Sequence, residues 1–76
     1  MAAKSKPVHV VPHQEGWAVT REGSQRASSV HRTQSEAAQV GRAAARQDRT
    51  EFVLHDREGQ IRARDSYGND PYPPRG

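Results

Sequence analysis

The segment TQSEAAQVGRAAARQD, Thr33 to Asp48, limits the fold more than any other stretch of the chain. Thr33 followed three residues later by Glu36 is a capping box: the Thr hydroxyl accepts from the backbone N–H of Glu36, and the Glu carboxylate reaches back to the N–H of Thr33. Behind it Ala37, Val40, Gly41, Ala44 and Ala45 recur at helical spacing on one face. A stripe of such small side chains lets a helix lie close against a sheet. Gly41 costs about 1 kcal/mol of helix propensity relative to Ala, and a close helix–sheet approach at that point would offset it. Gln39, Arg42, Arg46 and Arg49 fall on the opposite side.

The sheet has to come from the short runs on either side. PVHVVP is β-favouring, with Pro7 and Pro12 at its ends, where the missing N–H does least harm. After the turn HQEG, the run WAVTRE alternates, placing Trp17, Val19 and Arg21 on one face and Ala18, Thr20 and Glu22 on the other. RASSVHR is a weaker third strand around Val30. Beyond the helix, TEFVLHD puts Phe52 and Leu54 on one face and Val53 and His55 on the other. The turn DREG then leads to QIRAR, with Ile61 and Ala63 inward and Arg62 and Arg64 outward. The expected fold is α+β in the order β-β-β-α-β-β, one helix packed on one face of a mostly antiparallel five-stranded sheet. Trp17 and Phe52 are the expected core anchors. The other face is expected to be wet and to carry the outward arginines.

Composition enters where disorder must be weighed. Leu, Ile, Val and Phe fill only 10 of 76 positions, but 12 basic residues against 9 acidic leave a net charge of only +3. Disorder usually pairs a low apolar content with high net charge, so local patterning decides, and it favours folding. Residues 1–6 are expected to be frayed, 7–71 to form the single domain, and 72–76 to be a loose Pro-rich end. Within RDSYGNDPYPPRG, Gly68, Asn69 and Asp70-Pro71 have turn chemistry. Tyr67 is expected to cover the edge of a thin core, so that Ser66 to Pro71 wraps the domain.

The chain has no cysteine, which rules out a disulfide framework, a thiolate zinc site and a cysteine nucleophile. Its start lacks the apolar run of a secretory signal, and no stretch approaches a membrane span, so the expected location is the cytoplasm, with no membrane partner. No P-loop, G-x-G-x-x-G or nucleophile elbow is present. An enzyme is not expected, and no cofactor is implied. His9 and His13 lie four apart, but on a strand and the following turn rather than one helical face. His55 alternates away from Asp56. These placements do not converge as a metal site requires, and no metal is expected.

What remains is binding. Arg42, Arg46 and Arg49 repeat at helical spacing and form a ridge able to track phosphates; Arg62 and Arg64 share one face of the last strand. The ordinary reading of both sets is a solvated surface, diluted by Glu36, Asp48 and Glu51. The functional expectation is contact with a DNA or RNA phosphate backbone rather than base reading, since no aromatics interleave with the arginines for stacking. The competing expectation is a protein-interaction or homodimerisation module, because a serine-rich edge strand is open to strand addition.

Taken in order, VHVVPHQEGWAVTREG, the capping box with EAAQVGRAAAR, and EFVLHDREGQIRARDSYGNDPYPP resemble a family of small bacterial proteins, domain of unknown function 2188 (DUF2188). Its members look like x-V-x-P…W-x-V, a T-x-x-E-A helix, a strand, D-x-x-G, a strand and S-Y-G-x-D-P. The resemblance spans roughly Val8 to Pro74. It implies a bacterial single-domain α+β protein and brings no activity, cofactor or catalytic residue with it.

Overall fold

The computed structural model describes residues 6–24 and 26–67. Five strands and one helix follow in the order β1 (Val8–His13), β2 (Gly16–Arg21), β3 (Ala27–His31), α1 (Gln34–Asp48), β4 (Glu51–His55) and β5 (Ile61–Ser66). They make an α+β domain in which α1 packs on one face of a single sheet with strand order β3-β2-β1-β4-β5. Three of the four strand pairings are antiparallel; β1 and β4 run parallel, with Val8, His9 and Val10 opposite Phe52, Val53 and Leu54. This short parallel seam joins the first three strands to the last two. Of the start expected to be frayed over residues 1–6, all but Lys6 lies outside the described residues, as do Gly68 to Pro71 of the wrap expected from Ser66 to Pro71 and the Pro-rich end expected over 72–76.

The covered face holds Val8, Val10, Trp17, Val19, Phe52 and Leu54 against Ala37 and Ala45 of the helix. Phe52 is fully buried, worth roughly 1.5–3 kcal/mol as a side chain removed from water. Gly41 sits directly above it. A Cβ at Gly41 would come within 2.7 Å of Phe52 Cε1 and 3.1 Å of Val10 Cγ2, so the glycine is what lets the helix approach this closely. Ala37, Gly41 and Ala45 form the buried line of α1, each four residues from the next. Val40, read from spacing as part of that stripe, is 41 % exposed instead. The i, i+4 row fills the centre of the contact, with Ala38 and Ala44 partly buried at its sides.

Other local expectations need correction. Pro12 lies inside β1 rather than at its end. It is tolerated because the pairing with β4 covers only Val8 to Val10, leaving Pro12 no ladder bond to lose on that side. Ile61 does not turn inward with Ala63: the β4–β5 register shifts between Leu54 and His55, and Ile61 is 55 % exposed. The open face is also less wet than expected, since Ala18 and Val53 are buried on it. The capping box is one-sided. Thr33 Oγ1 accepts from the Glu36 N–H at 3.1 Å, whereas the exposed Glu36 carboxylate makes no return bond among the described residues; in water it gains little by one.

Glycine is required at the first hairpin. Gly16 has φ of 134°, and a Cβ there would meet the His31 carbonyl oxygen at 2.2 Å. The β2–β1 and β2–β3 pairings converge at this point, with no room for a side chain.

Candidate functional site

Two of the three helix arginines, Arg42 and Arg46, meet the strand pair along the β5 edge. Arg62 and Arg64 belong to β5 itself. Arg42 reaches from α1 to pair with the Asp65 carboxylate of β5, and its guanidinium lies over the Phe52 ring, 4.8 Å from the centroid. One helical turn on, Arg46 lies over the Tyr67 ring at 5.4 Å. Tyr67 follows β5 directly and is held there by its N–H, which donates to the Thr50 carbonyl at 3.2 Å. The Tyr67 ring packs against the hydrophobic core. Stacking of this kind holds a guanidinium in place without neutralising it.

The five arginines are not equivalent. Arg42 is bound into the domain: hydrogen bonding to Tyr67 first, then to Asp65, raises its pKa above the ordinary arginine value, with burial opposing. Arg62 donates to Gln34 Oε1 on the helix, and Gln34 Nε2 in turn donates to the His55 carbonyl at 3.1 Å. Arg62 is therefore directed toward α1, and the shared outward face expected for Arg62 and Arg64 is replaced by this tie. Arg62 keeps its full charge, since Gln34 is neutral. Arg49 is not a turn of the helix but its cap. It adopts the left-handed conformation at φ 55°, ψ 50°, and its N–H donates to the carbonyls of Ala45 and Arg46. Arg46, Arg49 and Arg64 are exposed and form no ion pair among the described residues. Against the four guanidiniums of Arg42, Arg46, Arg62 and Arg64 the edge sets Asp65, paired with Arg42, and Glu51, whose strand partner is Ser66.

Sequence reading missed a second cluster, on the open face. His9 of β1 and His55 of β4 meet across the parallel seam, His9 Nδ1 to His55 Nε2 at 2.9 Å. His9 Nε2 faces Glu22 Oε1 at 3.0 Å, and His55 Nδ1 donates to the Gly59 carbonyl at 3.1 Å. The available signal was the alternation: with Val8, Val10, Phe52 and Leu54 inward, both histidines must face outward. Only the register of a parallel pairing brings them together, and no local pattern encodes that register. The ion pair between Arg21 and Asp48 was likewise invisible; it borders an open groove of about 400 Å³ also lined by Lys6, Glu22, Gly23 and Ser24.

Among the described residues no group of three or more His, Asp or Glu side chains is placed to hold a metal ion. No helix there is long and apolar enough to cross a membrane. No solved structure matches this chain. It is 32 % identical over 65 residues to a curated protein of Bacillus subtilis (strain 168), "Uncharacterized protein YdaT". The match takes in 86 % of this chain and 43 % of that relative, so the chain spans less than half of the relative's length. Residues 8–67, from the first strand to the tyrosine that closes the β5 edge, match the family model described as "Uncharacterized protein conserved in bacteria (DUF2188)", and the chain belongs to that family.

Proposed function

We propose that the protein is a non-enzymatic cytoplasmic binding module whose β5 edge contacts the phosphate backbone of a nucleic acid. The observation that supports this reading is the meeting at the β5 edge of Arg42 and Arg46 from the helix with Arg62 and Arg64 of the strand, two of them laid over aromatic rings. Phosphate contacts need cations in a row and no base-reading side chains, and they give affinity that falls steeply with salt. Arg46, Arg49 and Arg64 are the contact residues in this reading; Arg42 positions the helix against β5.

A second reading, association through β3, is favoured by the contrast between the two edges. β5 interposes Arg62 and Arg64, a usual protection against strand addition, whereas Ala27 to His31 carries no Lys, Arg, Asp or Glu. One experiment separates the two. Binding of a short mixed-sequence DNA duplex, and of the matching DNA and RNA single strands, is measured across a salt series together with the oligomeric state. The phosphate reading expects binding at low salt, with Arg46→Gln and Arg64→Gln each lowering the log–log salt slope by about 1. Absence of binding at low salt, or slopes unchanged in both variants, would sink it. A concentration-dependent dimer indifferent to nucleic acid would leave the second reading in its place.

A further inference from the structure

We infer that His9 and His55 hold one shared proton, which ties β1 to β4 and makes the parallel seam of the sheet sensitive to pH in the imidazole range. The inference is independent of the phosphate-binding reading.

It rests on counting hydrogens against nitrogens. The Gly59 carbonyl can only accept, so His55 Nδ1 carries a hydrogen. The Glu22 carboxylate can only accept, so His9 Nε2 carries one too. That leaves His9 Nδ1 and His55 Nε2 facing each other at 2.9 Å. If both rings are neutral, two lone pairs meet; if both are cationic, two N–H groups meet. Three hydrogens on four nitrogens satisfy every contact, which means one imidazolium in the pair and a net charge balanced by Glu22.

The ring geometry identifies the bound species as a proton. The ring centroids lie 5.2 Å apart and the planes differ by 26°. That centroid separation is the 2.9 Å nitrogen distance plus about one ring radius on each side, so the rings meet edge to edge along the nitrogen–nitrogen line rather than face to face. An N–H···N bond has this in-line form. A zinc ion would sit about 2.0–2.1 Å from each nitrogen and, on that line, would force them much farther apart than 2.9 Å.

The surroundings do not supply the missing hydrogen in another way. On the open face the register sets Thr20 of β2 opposite His9, and Arg64 of β5 opposite Val53, itself opposite His9. Glu51 lies two residues before Val53 on the same face, and His13 lies at the far end of β1 with its Nδ1 accepting from the Glu15 N–H. In the β4–β5 turn Asp56 accepts from the N–H groups of Glu58 and Gln60, and Arg57 lies over Trp17. Lys6, before β1, offers its carbonyl to Arg21. Among the described residues Glu22 is the charged group bonded to the pair. The consequence falls on the seam, whose register runs over just three residue pairs.

The sign follows from the count. Raising the pH removes the shared proton, so that either the tie or the His9–Glu22 bond must be given up; lowering it adds a second proton and the tie is lost. NMR titration of the full chain tests this. His9 and His55 are expected to titrate together in two steps more than about 1 pH unit apart. In His9→Gln, His55 is expected to return to a single step, and the melting-temperature advantage of the parent over that variant should peak between the two steps. Independent single-step titration of both rings in the parent, or an advantage that does not change with pH, would overturn the inference, as would stoichiometric zinc uptake by the pair.

Discussion

Gly41 sets two effects against each other, and their sizes decide the outcome. An alanine there would regain about 1 kcal/mol of helix propensity. Its Cβ would also press to 2.7 Å on the ring of Phe52, which is fully buried and has nowhere to retreat; overpacking of this kind costs roughly 1–3 kcal/mol. Gly41→Ala should therefore lower stability by up to about 2 kcal/mol, read as a melting temperature lower by several degrees. A rise would mean that helix and sheet separate freely at this contact. Arg42 behaves differently. Its pKa is raised in the folded state by Tyr67 and Asp65, so its contribution is fully present below the ordinary arginine value and is lost only as pH climbs above it. Any pH dependence of stability near neutrality has to come from other groups. The importance of Gly41 was legible, because a glycine within a small-residue stripe marks close approach. The partnership of Arg42 was not: it joins residues 23 apart in sequence, on two elements.

The helix shows how far an element can be read from its own sequence. Its start at Thr33 was legible, since Thr33 caps from its side chain and needs only the next turn, although the expected return bond from Glu36 is not made among the described residues. Its last residue, Asp48, was legible as well, but the form of its end was not, because the usual glycine is missing and Arg49 takes the left-handed position instead. A non-glycine residue pays roughly 1–2 kcal/mol for that conformation, while glycine costs about 0.5–1 kcal/mol in unfolded-state freedom. Arg49→Gly should consequently stabilise the domain by about 0.5–1 kcal/mol while removing one exposed cation at the end of the helix. Thermal denaturation measures the first effect. A loss of stability would show that the Arg49 side chain contributes contacts beyond its cap. The same variant separates fold from function, since weaker phosphate binding in a more stable protein cannot be ascribed to unfolding.

At the scale of the molecule, the class of fold could be read from alternation and turns, but its closure could not. Nothing local indicates that β4 inserts beside β1, parallel to it, rather than beside β3, and the meeting of His9 with His55 and of the helix arginines with β5 follows from that one placement. The same topology ranks the strands by protection. β1 and β4 are paired on both sides and hold the fully buried side chains Val8, Val10 and Phe52, with Val53 nearly so. β3 is paired on one side, its alternation yields only half-buried residues, and its register with β2 is broken between Val19 and Thr20. Local opening costs least where few apolar contacts and many exposed backbone bonds coincide. In hydrogen exchange on dilute protein, the amides of Val10 and Phe52 should be among the slowest and those of Ala27 to Val30 among the fastest in the sheet. Protection of β3 equal to that of β1 would contradict an open edge. If that protection grew with protein concentration, a second chain would be covering β3, and association through that strand would displace the phosphate reading as the better account of what this family member does.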